Sequence, residues 1–183
     1  MTGSKTIVLV RHTDNDGDVL TPLGLADAVA IGESLDGGFD VAASSGAQRA
    51  TQTTGCLLAG LGQTVPGGVV VIEALRSTVE DRWRAAYGKA GAGDLASLRS
   101  ADPDLVATDS AALAEGLRSL LAMLPDGGRA LAVGHSPTNE AAVLGLTGAM
   151  IPPLGKGEYV VIVESRSGFA VAPPGDRSHG GGG

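Results

Sequence analysis

Aromatic side chains make up only 3% of this 183-residue chain, so its core must be built mostly from Val, Leu, Ile and Ala. A single cysteine, Cys56, excludes any disulfide within the chain. It lies in a helical stretch among Thr, Leu and Ala. A small buried hydrophobe fits there better than a reactive thiol, which needs a nearby cation and some exposure. Basic residues are outnumbered, 13 Lys and Arg against 20 Asp and Glu, for a net charge of −7. That balance argues against a nucleic-acid surface, which needs a basic stripe, but leaves room for a local cationic pocket. Long apolar runs are missing too. None approaches a membrane span, and Met1-Thr-Gly-Ser-Lys5 enters the first strand without an apolar leader. A cytoplasmic protein that meets neither membrane nor nucleic acid is expected. The length fits one domain with a sizeable core, and no internal repeat is visible.

What is present begins with Thr6–Val10, a run of branched apolar residues that stops abruptly at Arg11 and His12. It reads as a buried strand. An Arg and a His at its carboxyl end suit the ligand end of an open α/β sheet better than a core. Thr13–Asp18 is a polar turn. Thr21-Pro22 then predicts a helix start, Thr as N-cap and Pro at the first helical position, with Gly37-Gly38 as its end. Phe39–Ala43 reads as a second strand, and Ser44–Ala50 leads into a helix ending near Leu61. Small residues at that turn make an anion site. Arg49 falls in the first helical turn, where a cation is mildly unfavourable, which points to another task.

Val69–Ile72 is a third strand. Glu73 to about Thr108 reads as an insertion of short helices over the ligand end of the sheet, carrying Trp83 and Tyr87 as exposed aromatics. Insertions over a crevice often set substrate choice; a helix simply packed by Trp83 is the alternative reading. A helix from Asp109 or Ser110 to Leu124 shows a leucine stripe. Arg129–Val133 is the fourth strand, and Gly134-His135-Ser136 follows it just as Arg11-His12 follows the first. A helix to Leu146 and a closing hairpin, Tyr159–Glu164 with Phe169–Val171, complete a domain of residues 1–172. The Gly/Pro-rich residues 173–183 are expected to be disordered and their His179 inert.

Arg11, His12, Arg49 and His135 therefore all fall at strand ends that lie together in an open sheet. Two guanidiniums and two imidazoles without a carboxylate cage describe a pocket for a dianion, because guanidinium forks grip phosphate oxygens in pairs. Each residue alone is better read as a core histidine or a surface arginine. All four in one place are not.

The motifs Leu9-Val-Arg11-His12, Leu20-Thr-Pro-Leu-Gly24, Ser44-Ser-Gly-Ala-Gln-Arg49-Ala-Thr-Gln-Thr53 and Val133-Gly-His135 resemble, in order and spacing, those of the histidine phosphatase superfamily, the phosphoglycerate mutase-like proteins. The resemblance spans Thr6 to about Leu146. It implies an α/β fold: a single-domain three-layer α/β/α sandwich with a mostly parallel central sheet, an antiparallel edge and a small insertion over the carboxyl ends of the strands. It implies His12 as a nucleophile that carries a phosphohistidine, with Arg11, Arg49 and His135 binding the phosphoryl oxygens. Asp14, Asn15 and Ser136, beside the two histidine motifs, are further candidates for that binding. No metal or organic cofactor is implied.

Three departures stand out. Thr13 replaces the family's usual Gly and Asp14 its usual Glu or Gln. The glutamate that many members use as general acid falls at Ser77, in Ala74-Leu-Arg-Ser77. Glu80, the candidate acid, Asp81 and Glu73 are the carboxylates nearby; for Glu80 and Asp81 a solvated helix face is the alternative reading. Alkyl esters need that proton, worth roughly 10²–10⁴-fold, whereas a phosphoramidate needs it less. The expected activity is a cofactor-independent phosphatase on a small phosphomonoester. A protein phosphohistidine phosphatase and a non-catalytic binder of phosphorylated ligands are the alternatives, and a monomer or homodimer the expected state.

Overall fold

The computed structural model describes residues 3–173; most of the 173–183 tail, His179 included, lies outside them. The apolar run of the first strand alternates sides. In β1 (Lys5–Arg11), Ile7 and Leu9 enter one core cluster while Val8 and Val10 enter another. Both faces of the sheet are therefore covered, as a continuous run of branched residues requires.

The polar turn after His12 carries a minute hairpin, β2 (Asn15–Asp16) against β3 (Val19–Leu20). Then come α1 (Pro22–Ser34), β4 (Val41–Ser44), α2 (Gln48–Leu61) and β5 (Val69–Val71). A 3₁₀ turn, Glu73–Leu75, leads to α3 (Glu80–Ala90), α4 (Leu95–Ala101) and α5 (Pro103–Met123). The chain closes with β6 (Arg129–Gly134), α6 (Thr138–Thr147), β7 (Tyr159–Ser165) and β8 (Gly168–Val171). The sheet order is β5-β4-β6-β1-β7-β8. The first four strands are parallel and the last two form the antiparallel edge. Residues from α1 and α2 pack on one face and those from α3 to α6 on the other, which makes the expected three layers. Among the described residues no helix is long and apolar enough to cross a membrane.

Thr21 caps α1 as its sequence predicts, its Oγ1 accepting from the Gly24 N–H at 3.0 Å. The start of α5 departs from expectation. It lies at Pro103, well before Asp109, because Asp102 is an N-cap accepting from Leu105 N–H at 3.0 Å and Pro103 fits the first turn. Leu105 and Val106 extend the buried stripe backwards. The insertion is correspondingly shorter. Trp83 is also not exposed: it is 5% accessible, and its indole N–H donates to Asp109 at 2.6 Å. Tyr87 is 58% accessible, as expected. Cys56 is half-buried, and burial raises its thiol pKa.

Helices α5 and α6 touch backbone to backbone. A Cβ built on Gly145 of α6 would lie 2.0 Å from the Ser110 carbonyl oxygen of α5. Gly145→Ala must push the helices apart, and is expected to cost about 1–3 kcal/mol, more than the roughly 1 kcal/mol that alanine gains in a helix. Denaturant unfolding checks this. A midpoint equal to or above that of the parent chain would contradict the packing described.

Candidate active site

Strand register sets the site. Arg11 pairs with Gly134 and Ser44 with both Val133 and Val71, so the carboxyl ends of four parallel strands finish level. His12 N–H donates to the Gly134 carbonyl at 3.1 Å and Ser45 N–H to the Val133 carbonyl at 3.1 Å. His12 and His135 thereby face each other with ring centroids 5.3 Å apart.

His12 is buried, and its Nδ1 lies 2.9 Å from the Thr13 carbonyl oxygen. A carbonyl only accepts, so Nδ1 carries the hydrogen and Nε2 keeps its lone pair. His135 has the opposite tautomer. An Arg49 guanidinium N–H donates to its Nδ1 at 3.2 Å, so Nε2–H donates to the Ser45 hydroxyl at 2.7 Å. Thr13, in the position where resembling proteins have Gly, is buried and binds its hydroxyl to the Gly24 carbonyl at 2.7 Å. Its own N–H donates to Thr53 Oγ1 at 3.2 Å. The turn after His12 is thus tied to α1 and α2.

Arg49 is aimed by Asp18, a residue that sequence reading passes over. The Asp18 carboxylate takes the guanidinium at 2.7 Å and the Gln48 N–H at 3.2 Å. It supplies the cap that Ala47, the formal N-cap of α2, lacks. Burial pushes the Asp18 carboxyl up, but these N–H groups and the Arg49 charge outweigh it and hold the pKa below its ordinary value. Arg11 donates from Nη1 to the Leu154 carbonyl at 2.6 Å, while its Nε is buried without a protein partner. Glu140, also missed from sequence, is 2% accessible in the first turn of α6. One oxygen accepts from Ser136 Oγ–H at 2.5 Å and from Leu154 N–H at 2.7 Å. It therefore braces both Ser136 and the segment that holds Arg11.

The remaining candidates sit at the margin. Asp14 is engaged by Thr21 and Lys156. An anion repels phosphate, and this one accepts from Thr21 Oγ1 and Lys156 Nζ, each at 2.7 Å. It thereby brings a third cation, Lys156, close to His12. The Asn15 amide is occupied within the small hairpin, donating to the Gly17 carbonyl at 2.8 Å. Ser77 is buried and accepts from Val79 N–H at 3.1 Å. Glu80 pairs with Arg76 at 2.6 Å, and that bond holds its pKa below the ordinary glutamate value. An ionised carboxylate is the wrong form for donating a proton at neutral pH. Among the described residues no group of three or more His, Cys, Asp or Glu could hold a metal ion.

Burial is the main reason that the His12 pKa falls to about 4; Arg49, Arg11 and Lys156 add to it, and the Thr13 hydrogen bond opposes it. His135 falls to about 3 through burial, then Arg49 and His12. Both imidazoles are neutral at pH 7. Their folded values lie below the ordinary 6.5, so as the pH falls the unfolded chain takes up protons first. Stability is intact above about pH 6.5 and is lost downward from there, by up to roughly 1.4 kcal/mol per pH unit for each group. Urea midpoints between about pH 7 and 5, above the range where carboxylates titrate, are expected to fall in the parent chain and to stay flatter in a His12→Gln, His135→Gln double variant. An equally steep fall in both would contradict buried neutral imidazoles.

Neither a family model nor a curated protein sequence matches the chain. Solved structures do. A phosphoglycerate mutase from Bacillus anthracis superposes with a TM-score of 0.71 at 18% identity, over 93% of this chain and 92% of that one. A phosphoserine phosphatase from Entamoeba histolytica, solved with 3-phosphoglyceric acid, gives 0.69 at 18% identity, over 92% and 95%. The protein histidine phosphatase SixA, solved with tungstate, gives 0.58 at 16% identity, over 92% and 94%. These likenesses cover 92–93% of the chain and show that it has the fold these mutase and phosphatase structures share.

Proposed function

We propose that this chain is a cofactor-independent phosphatase that hydrolyses a small phosphomonoester through a phosphohistidine at His12. One observation carries the reading: a buried imidazole with Nδ1–H spent on a backbone carbonyl, and so with Nε2 free, stands among the cations Arg11, Arg49 and Lys156. A histidine that only binds an anion is better protonated. This one is held neutral, as a nucleophile must be.

In the first step the Nε2 lone pair forms an N–P bond while the bond from phosphorus to the leaving oxygen breaks, and that oxygen departs with the electron pair. In the second, water attacks phosphorus, the N–P bond breaks, the pair returns to Nε2 and inorganic phosphate leaves; the proton the water gives up to solvent balances the one the leaving oxygen takes from it. The buried Arg11 Nε and the Arg49 fork supply donors for the phosphoryl oxygens, where charge spreads in the transition state. His135, held by Arg49 and Ser45, lies beside His12 with ring centroids 5.3 Å apart. Ser136, braced by Glu140, lies at its edge.

The second reading, a phosphatase of phosphohistidine in proteins, is favoured by one feature: Ser77 stands where resembling proteins place the acid, and a phosphoramidate leaves more readily without one. A metal-free steady-state assay tests both readings, with 4-nitrophenyl phosphate, a panel of sugar and glycerate phosphates, and a phosphohistidine peptide. Turnover of small esters above that of the peptide supports the first reading, and the reverse order supports the second. Binding of phosphate without turnover of any substrate would contradict both and leave a phospho-ligand binder.

A further inference from the structure

Beside the histidine pocket lies a cleft of about 380 Å³, lined by Arg11, Arg84, Tyr87, Ser136, Pro137 and Pro153. Arg11 and Ser136 belong to the phosphate site, so a group joined to the bound phosphate extends into this cleft. Apart from Arg84, the other walls are apolar or aromatic. Tyr87 exposes its ring, and Pro137 and Pro153 offer saturated ring faces. Trp83, which also lines the cleft, is pinned by its bond to Asp109 and makes that wall rigid. Gly93 lies against the Tyr87 ring, where a Cβ would come within 3.4 Å of Cε2. Among the described residues Arg84 forms an ion pair with Asp81, and both side chains are largely exposed. Such pairs contribute little, so its guanidinium is available to an anion in the cleft.

Resting on the phosphatase reading, we propose that this cleft receives an aromatic leaving group: the substrate is a small aryl phosphate whose ring stacks on Tyr87 and whose acidic ring substituent meets Arg84. The residue at position 77 points the same way. Ser77, whose oxygen accepts from Val79 N–H, is an alcohol and too weak an acid to protonate a leaving oxygen at neutral pH. A phenol-type oxygen does not need that proton. As the P–O bond breaks, the aryl oxygen keeps the electron pair and departs as phenoxide, which takes its proton from water. Water also hydrolyses the phosphohistidine, and no other co-reactant enters.

The test compares the parent chain with Tyr87→Leu and Arg84→Met, using phenyl phosphate, 4-carboxyphenyl phosphate and ethyl phosphate. Inorganic phosphate, as a competitive inhibitor, reports separately on the phosphate site. Tyr87→Leu is expected to lower kcat/KM for phenyl phosphate by about 3- to 10-fold, the worth of an aromatic contact, with the phosphate inhibition constant unchanged. Arg84→Met is expected to lower kcat/KM for 4-carboxyphenyl phosphate and leave that for phenyl phosphate alone. Ethyl phosphate turned over by the parent as efficiently as phenyl phosphate would overturn the proposal. So would a Tyr87→Leu variant that keeps its phenyl phosphate activity or loses phosphate affinity in parallel, or an Arg84→Met variant that treats both aryl esters as the parent does. If the parent hydrolyses none of the three esters, the phosphatase reading itself fails. If it hydrolyses them and the variants do not discriminate, only the cleft assignment fails.

Discussion

Replacing His12 with alanine is expected to lower kcat by on the order of 10³-fold or more while leaving the far-ultraviolet circular dichroism spectrum unchanged. The side chain is buried, but its one hydrogen-bond partner among the described residues is the Thr13 carbonyl of the next residue. The turn itself is held independently, by the Thr13 bonds to Gly24 and Thr53. Losing the imidazole therefore removes a nucleophile without unfastening the turn. Inorganic phosphate should still bind, because Arg11 and Arg49 remain. A variant that retains parental turnover would sink the covalent mechanism. One that loses phosphate binding as well would show that His12 holds the pocket rather than reacting in it.

Arg49→Met is expected to lower kcat by about 10²–10³-fold, the usual cost of removing one donor aimed at developing charge. Methionine keeps much of the length of the stem and all of its apolar packing, so the loss is electrostatic. The change also removes the donor to His135 Nδ1, one of the causes that keep that imidazole neutral. The His135 pKa should accordingly rise, visible as a shift of its ring resonances in a proton NMR titration. Asp18→Asn should produce a smaller loss in kcat of the same kind, because the guanidinium stays but is less firmly aimed. Parental kcat in Arg49→Met, with an unmoved His135 titration, would place Arg49 outside the machinery.

These effects concern residues that were unequally legible in the chain. His12 and His135 show themselves because an apolar strand that ends on a polar pair has only one place to go, the open end of a parallel sheet. The alternation Ile7/Leu9 against Val8/Val10 carries the three-layer architecture in the same way. Asp18 is harder to find. It shares a polar turn with Asp14, Asn15 and Asp16, and only folding brings it to an α2 N-terminus some thirty residues along the chain. Lys156 becomes part of the site through a bond to Asp14 that spans most of the sequence. Glu140 is separated from Ser136 by one helical turn, a spacing that sequence displays. Its burial, however, depends on the Leu154 N–H, which arrives from the connection before β7. The start of α5 is a different case. Its signal, Asp102-Pro103, is local, but the leucine stripe further along is the stronger pattern and draws the boundary towards itself. Of the two readings open for Trp83, the packed one holds, because its indole N–H finds a buried carboxylate, Asp109, that sequence pattern places at a helix start.

The covalent step can be observed directly. The parent chain and His12→Ala would each be mixed with 4-nitrophenyl phosphate, quenched in alkali during turnover, and measured by intact mass, with the modified residue located by peptide fragmentation. The expected result is one added phosphoryl group on the parent, placed on His12, stable to alkali and lost in acid as an N–P bond requires, and none on the variant. Steady turnover by the parent with no phosphoryl group on His12, or the same adduct on the variant, would contradict a mechanism through phosphohistidine at this position.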